Sequence, residues 1–153
     1  MKKLGILGCG WLGTKLAVKL NSQNWNVKVS KTSTEGVISL SKQGIESYRI
    51  ILSENSIKGD LEFFENLDQL LISIPPKRDS IGNFSKKIKY LINFLKSKSN
   101  IKIIFLSSTS VYGKRNGKFN EQSILFPDTD SSSNLVISEK MIQKSSNPSI
   151  IIR

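Results

Sequence analysis

Residues 5–13 read GILGCGWLG. A short apolar run, Leu4 to Leu7, halts at glycines, and Leu12, Leu16 and Leu20 then recur at helical spacing through WLGTKLAVKLNSQ. The stretch therefore reads as strand, tight turn and helix. Gly8, Gly10 and Gly13 form GxGxxG at that junction, the context in which the pattern carries meaning. Glycine at 8 permits the tight turn, at 10 it lets a pyrophosphate approach the backbone, and at 13 it lets the helix pack against the sheet. The amides around Gly10, Trp11 and Leu12 are then expected to face phosphate at the positive end of the helix. Cys9 fills a variable slot and is expected to pack rather than react.

Working outward, WNVKVS (25–30) alternates as a strand, TEGVISLSKQG is a helix ending at Gly44, and ESYRIIL is strand-like. Residues 53–68 are polar and acidic with little pattern, apart from a short helix at DLEFFENL. QLLISIPP is a buried strand closed by two prolines, which cannot continue a ladder, and PKRDSIG (76–82) is a loop. From Asn83 to Lys98, Phe84, Ile88, Leu91, Ile92 and Leu95 share one helical face, with Lys86, Lys89 and Lys96 opposite. IKIIFLSS is a fifth strand of the kind buried on both faces in a parallel sheet. A polar loop from Thr109 to about Ser132, a helix near Ser133–Lys144 and a sixth strand, SIIIR, complete the pattern. The expectation is an α/β fold, a doubly wound parallel sheet of about six strands, in one domain over residues 1–153.

Where the second strand ends, a site for NAD usually presents a carboxylate to the ribose hydroxyls. Here the residues are Ser30, Lys31, Thr32 and Ser33. Hydroxyls and an ammonium suit a 2′-phosphate, which favours NADP, with NAD as the alternative and Lys31 then ordinary surface charge.

Composition narrows the chemistry. A chain of 153 residues with one cysteine and no histidine has neither an internal disulfide nor the usual ligands for zinc, copper or non-haem iron, so no metal is expected. Without histidine there is also no Ser-His or Cys-His nucleophile pair. MKKLGILGCG imitates a secretory leader, but its apolar stretch is shorter than the ~7 residues such a segment needs, which points to the cytoplasm. No apolar run approaches the ~20 residues of a membrane span. Net charge is +11 from 23 basic and 12 acidic residues. Between Gln69 and Asn120 the lone acid is Asp79, among cations that include Lys77, Arg78, Lys86 and Lys87. This reads as a solvated lysine-rich surface rather than a nucleic-acid footprint, because no aromatic stacking pattern accompanies the lysines.

SSTSVYG, at the end of the fifth strand, puts several hydroxyls at the carboxyl edge of the sheet. Together with GCGWLG, ISIPP, Glu121 and SEKMIQK followed by IIIR, it makes the whole chain resemble the extended and atypical short-chain dehydrogenase/reductase families, which include nucleotide-sugar epimerases and dehydratases. The resemblance is strongest to the atypical, epimerase-like NAD(P)-binding proteins. It implies a Rossmann-type domain in which Ile74, Pro75 and Ser107 join the cofactor surface. It also implies that Ser108, four residues before Tyr112, takes the place of the catalytic hydroxyl. The family's YxxxK pair would fall at Ser131 and Leu135, counting from Glu139, and none of Tyr48, Tyr90 and Tyr112 has a lysine four residues on. The family chain also continues into a substrate lobe, absent here.

The expectation is thus a C-terminally truncated NADP-binding domain, catalytically incomplete alone, whose standing as an enzyme stays open. The alternatives are a non-enzymatic NADP-binding sensor or interaction module and an inactive gene fragment. Tyr112 is expected to be a packed aromatic. Ile150, Ile151 and Ile152 form a short apolar edge expected to recruit a second copy or a complementing chain.

Overall fold

A computed structural model describes residues 1–76, 83–98 and 100–153. The loop expected over 76–82 lies, beyond Pro76, outside the described residues, and with it Lys77, Arg78 and Asp79. Strands β1 (Lys3–Leu7), β2 (Asn26–Lys31), β3 (Glu46–Leu52), β4 (Ile57–Gly59), β5 (Gln69–Ile72), β6 (Lys102–Leu106) and β7 (Ser149–Ile152) form one sheet. Its order is β4-β3-β2-β1-β5-β6-β7. Every neighbouring pair is parallel except β3 and β4. Helices α1 (Trp11–Asn21), α2 (Thr34–Ser41), α3 (Asn83–Leu95) and α4 (Asp130–Gln143) cover the two faces. The chain winds outward from β1 in one direction and from β5 in the other. Between them lies the switch point, where the connections diverge and leave a crevice at the carboxyl edge.

The alternation of β5 shows how the layers form: Leu70 and Ile72 enter one apolar cluster with α3 and α4, and Leu71 enters the other with Ala17 of α1 and Leu40 of α2. All five apolar residues of the α3 face are buried. Helix α1 sits differently from its leucine spacing. Gly13 and Ala17 are the buried residues and Leu12 is half exposed, so the helix approaches β1 along a seam of small residues. A Cβ at Gly13 would stand 3.1 Å from Ile6 Cγ2.

Two elements depart from the sequence pattern. The sheet has seven strands, not about six, because β4 pairs antiparallel with β3 in the segment that shows little periodicity. Three residues are too few to display alternation, and the pairing is fixed by the turn before it. Ser53 N–H donates to the Ser56 carbonyl (2.9 Å), and Ser56 N–H donates back to Ser53 Oγ (3.0 Å). Gly59, at φ 109°, lies against the Arg49 carbonyl, where any side chain would collide. The second departure is α4, which begins at Asp130 rather than near Ser133. Thr129 accepts from Ser132 N–H (3.1 Å) while Ser132 Oγ accepts from Thr129 N–H (3.0 Å), a reciprocal cap. Aspartate and serine compete with the helical backbone in mid-helix, so TDSSS reads as loop although here it starts a helix.

The short helix expected at 60–67 is a 3₁₀ turn, Leu61–Phe64, that buries Phe63 and Phe64. No helix among the described residues is long and apolar enough to cross a membrane.

Candidate functional site

The glycine turn is held to both neighbours of β1. Gly8 N–H donates to Ser30 Oγ (3.1 Å), Cys9 N–H to the Ser30 carbonyl (2.9 Å), and Ser73 Oγ to the Gly8 carbonyl (2.8 Å). Gly8 has φ 87°, and a Cβ there would strike Ile74 Cγ2, so two independent constraints require glycine. Gly10 is the opposite case. Its φ is −87° and a Cβ would meet nothing within 4 Å, so the space in front of it is open and is defended by no packing need. Gly10 N–H is taken by the Gly8 carbonyl (2.9 Å), and among the described residues the amides of Trp11, Leu12 and Gly13 in the first turn of α1 have no backbone acceptor. No side chain caps α1 and no acid stands in its first turn, so the helix end keeps its positive field.

In front of this turn lies a cavity of about 440 Å³. It runs from Gly8 and Gly10 past Ser30, Lys31 and Thr32 to the ends of β3 at Leu52 and of α3 at Phe84 and Lys87. A second cavity of about 310 Å³ shares Ile74 and Pro75 with the first and is bounded by Ser107, Ser108, Ser110, Ser131 and Leu135. The two form a trough across the carboxyl edge of the sheet at the switch point.

The sequence-derived residues take distinct places along it. Ser30 is 2% exposed and its hydroxyl already holds the Gly8 amide, so it positions the turn from beneath. Lys31 and Thr32 line the larger cavity. Ser33 lines neither cavity and instead caps α2, accepting from Gly36 N–H at 3.2 Å. The side chains of Trp11 and Leu12 point away, Trp11 being 75% exposed with the Lys15 ammonium 5.2 Å from its ring. Cys9 is buried, with Sγ 3.5 Å from Thr14 Oγ1, and packs as expected. Ile74 and Pro75 stand at the junction of the two cavities. Ser107 Oγ is buried without a hydrogen-bond partner in the wall of the smaller one. Ser108 caps the 3₁₀ turn Thr109–Tyr112, accepting from Ser110 N–H at 3.1 Å.

Three contributors are missed by the sequence pattern. Lys87 follows Phe84 by one helical turn, and that i, i+3 spacing is the signal that both face one way. Arg49 pairs in register with Lys31, and its Nε donates to the Thr32 carbonyl (3.2 Å), fixing the end of β2. Gly36 makes room for the lysine stem, since a Cβ there would stand 3.1 Å from Lys31 Cγ.

Beside the smaller cavity, Arg153 grips the buried Glu139 (Nη2–Oε2 2.8 Å, Nε–Oε2 3.1 Å) and donates to the Glu121 carbonyl (2.9 Å). Its hydrogen bonds to Glu139 hold the guanidinium still further above its usual range, against the opposing effect of burial. Tyr112, donating to the Asn120 carbonyl at 2.8 Å beneath the same guanidinium, is a packed aromatic.

No protein-family model matches the chain. The curated protein YeeZ of Escherichia coli K12 is 35% identical over 135 residues, 86% of this chain and 49% of that protein. The chain thus spans about half the length of the curated relatives it matches. A functionally unknown conserved protein from Silicibacter pomeroyi superposes with TM-score 0.78 at 20% identity, over 100% of this chain and 52% of that one. UDP-glucuronic acid 4-epimerase from Bacillus cereus, in complex with NAD, gives TM-score 0.78 at 19% identity, over 99% of this chain and 55% of the epimerase. At these identities the likeness establishes the fold. The chain has a Rossmann-type α/β fold, shared with epimerase and dehydratase structures solved in complex with NAD.

Proposed function

We propose that residues 1–153 are an NADP(H)-binding domain of epimerase/dehydratase type, catalytically incomplete as it stands. The observation that carries this reading is the open space at Gly10, facing the free amides of Trp11 and Leu12 at the mouth of a cavity of about 440 Å³. The residues fit a dinucleotide laid along the trough. The uncapped end of α1 would hold the phosphates, the cavity wall at Ile51 and Leu52 the adenosine, and the orphaned Ser107 hydroxyl the nicotinamide half. Lys31 and the Thr32 hydroxyl would hold the 2′-phosphate, and among the described residues no carboxylate lines that cavity to repel it.

When bound, the cofactor supplies hydride chemistry, but the described wall of the smaller cavity holds no group suited to moving a proton. Ser108 faces Ser131 and Leu135, where the resemblance calls for tyrosine and lysine. Positioned acids and bases contribute ~10² to 10⁴-fold, so little turnover on UDP-sugars is expected from this chain. A cytoplasmic NADP-binding sensor is the second reading, favoured by the same wall, whose described polar side chains are all serines. The exposed Ile150 and Ile152 of β7 make the sheet edge a place for a second copy to pair.

Calorimetric titration tests the reading. Binding of NADP⁺ at least about tenfold tighter than NAD⁺, a preference worth roughly 1.4 kcal/mol, is expected, and Lys31→Glu should reduce or reverse it. Equal curves for the two cofactors, unmoved by that substitution, overturn it.

A further inference from the structure

The two ends of the trough differ in charge as well as shape. Among the described residues, the larger cavity is lined by two lysines, Lys31 from the end of β2 and Lys87 from α3, and by no acid. Among the described residues, the smaller cavity is lined by serines, prolines, leucines and one isoleucine, with no titratable group. We infer that this domain draws its affinity from the phosphorylated adenosine half of NADP(H) and is blind to the oxidation state of the nicotinamide. The inference rests on the dinucleotide reading above and adds what that site senses.

The argument is electrostatic. An oxidised nicotinamide ring carries one positive charge and a reduced ring none, so a site tells them apart by placing a fixed charge or a strong directed dipole beside the ring. A unit charge 4 Å from another contributes about 4 kcal/mol at an effective dielectric of 20, a discrimination of several hundredfold. The described wall offers instead the hydroxyls of Ser107, Ser108, Ser110 and Ser131, which rotate and donate or accept as the ligand requires. Ser107 Oγ, lacking a partner, satisfies a carboxamide equally well in either oxidation state. The net charge of +11 favours the more anionic reduced form, but across water it is screened within about 8 Å at physiological ionic strength.

The adenosine half is different in kind. There the charged groups of the protein meet the charged groups of the ligand: Lys31 and Lys87 across the cavity, and the end of α1 at the phosphates. A domain built this way reports the total concentration of NADP(H) rather than its redox ratio.

Titration of the whole chain with NADP⁺, NADPH and adenosine 2′,5′-bisphosphate decides the matter. The two cofactors should bind within about threefold of each other and the bisphosphate within about tenfold of NADP⁺. Lys87→Gln should weaken all three by a similar factor, with unchanged melting of the free protein. A difference beyond tenfold between NADP⁺ and NADPH overturns this inference alone, as does a bisphosphate that fails to bind where NADP⁺ binds. No binding by any of the three overturns the dinucleotide reading, and this inference with it.

Discussion

The glycine end and the serine end of the trough lie on the same edge of one sheet, yet they are built from different material. At the glycine end the groups proposed to bind are backbone: the amides of Trp11 and Leu12, a left-handed Gly8 and an open Gly10, held by Ser30 and Ser73 from the flanking strands. At the serine end the cavity is lined by side chains, among them Ser107, Ser108, Ser110, Ser131 and the apolar Leu135. The comparison teaches that a phosphate site survives wherever the turn geometry survives, whereas a proton-transfer site needs particular side chains at particular positions. In the proposed reading, one end of the trough offers what binding requires, while the described side chains of the other offer hydroxyls and apolar surface.

The sharpest way to break this comparison is Gly10→Val. The backbone at Gly10 is in an ordinary conformation and a Cβ there meets nothing, so folding is preserved while the approach of phosphate to the Trp11 and Leu12 amides is blocked. Binding of NADP⁺ should fall by about 100-fold or more, with the melting temperature within a few degrees of the parent. Retained binding would show that the glycine turn is not the phosphate site.

Next in size is Glu139→Ala, which probes what keeps the serine end in shape. It removes the partner of a guanidinium whose side chain is 14% exposed and frees the contact between Arg153 and the Glu121 carbonyl. Breaking a buried pair from one side costs about 3 kcal/mol or more, measurable by urea unfolding, while NADP⁺ affinity at the glycine end should change little. A loss of affinity as large as the loss of stability would mean that the two ends are not separable.

The smallest effect is expected at the edge of the sheet on the serine side. There Ile151 packs against the core while Ile150 and Ile152 are 42% and 47% exposed. Ile150→Lys is therefore the informative substitution, and it should shift a concentration-dependent sedimentation coefficient toward the monomer. A parent protein whose sedimentation is independent of concentration would remove the proposed pairing of copies.

Local patterns in the sequence determined the order of strand and helix, the glycine turn and the apolar face of α3, because each depends on neighbours within a turn of helix or along a strand. The spacing of Gly8, Gly10 and Gly13 states a backbone requirement, and the structure meets it within six residues. Register and crossover decided the rest. Lys31 and Lys87 line one cavity because the strand order reverses at the switch point, so that the end of β2 and the start of α3 border the same crevice. Arg49 reaches Thr32 because β2 and β3 pair in a given register, and β4 exists because Gly59 can lie against Arg49. Ser131 meets Ser108 only once the reciprocal cap at Thr129 has set where α4 begins. Such contacts join residues far apart in the chain, and no periodicity within either segment records which distant partner it will meet.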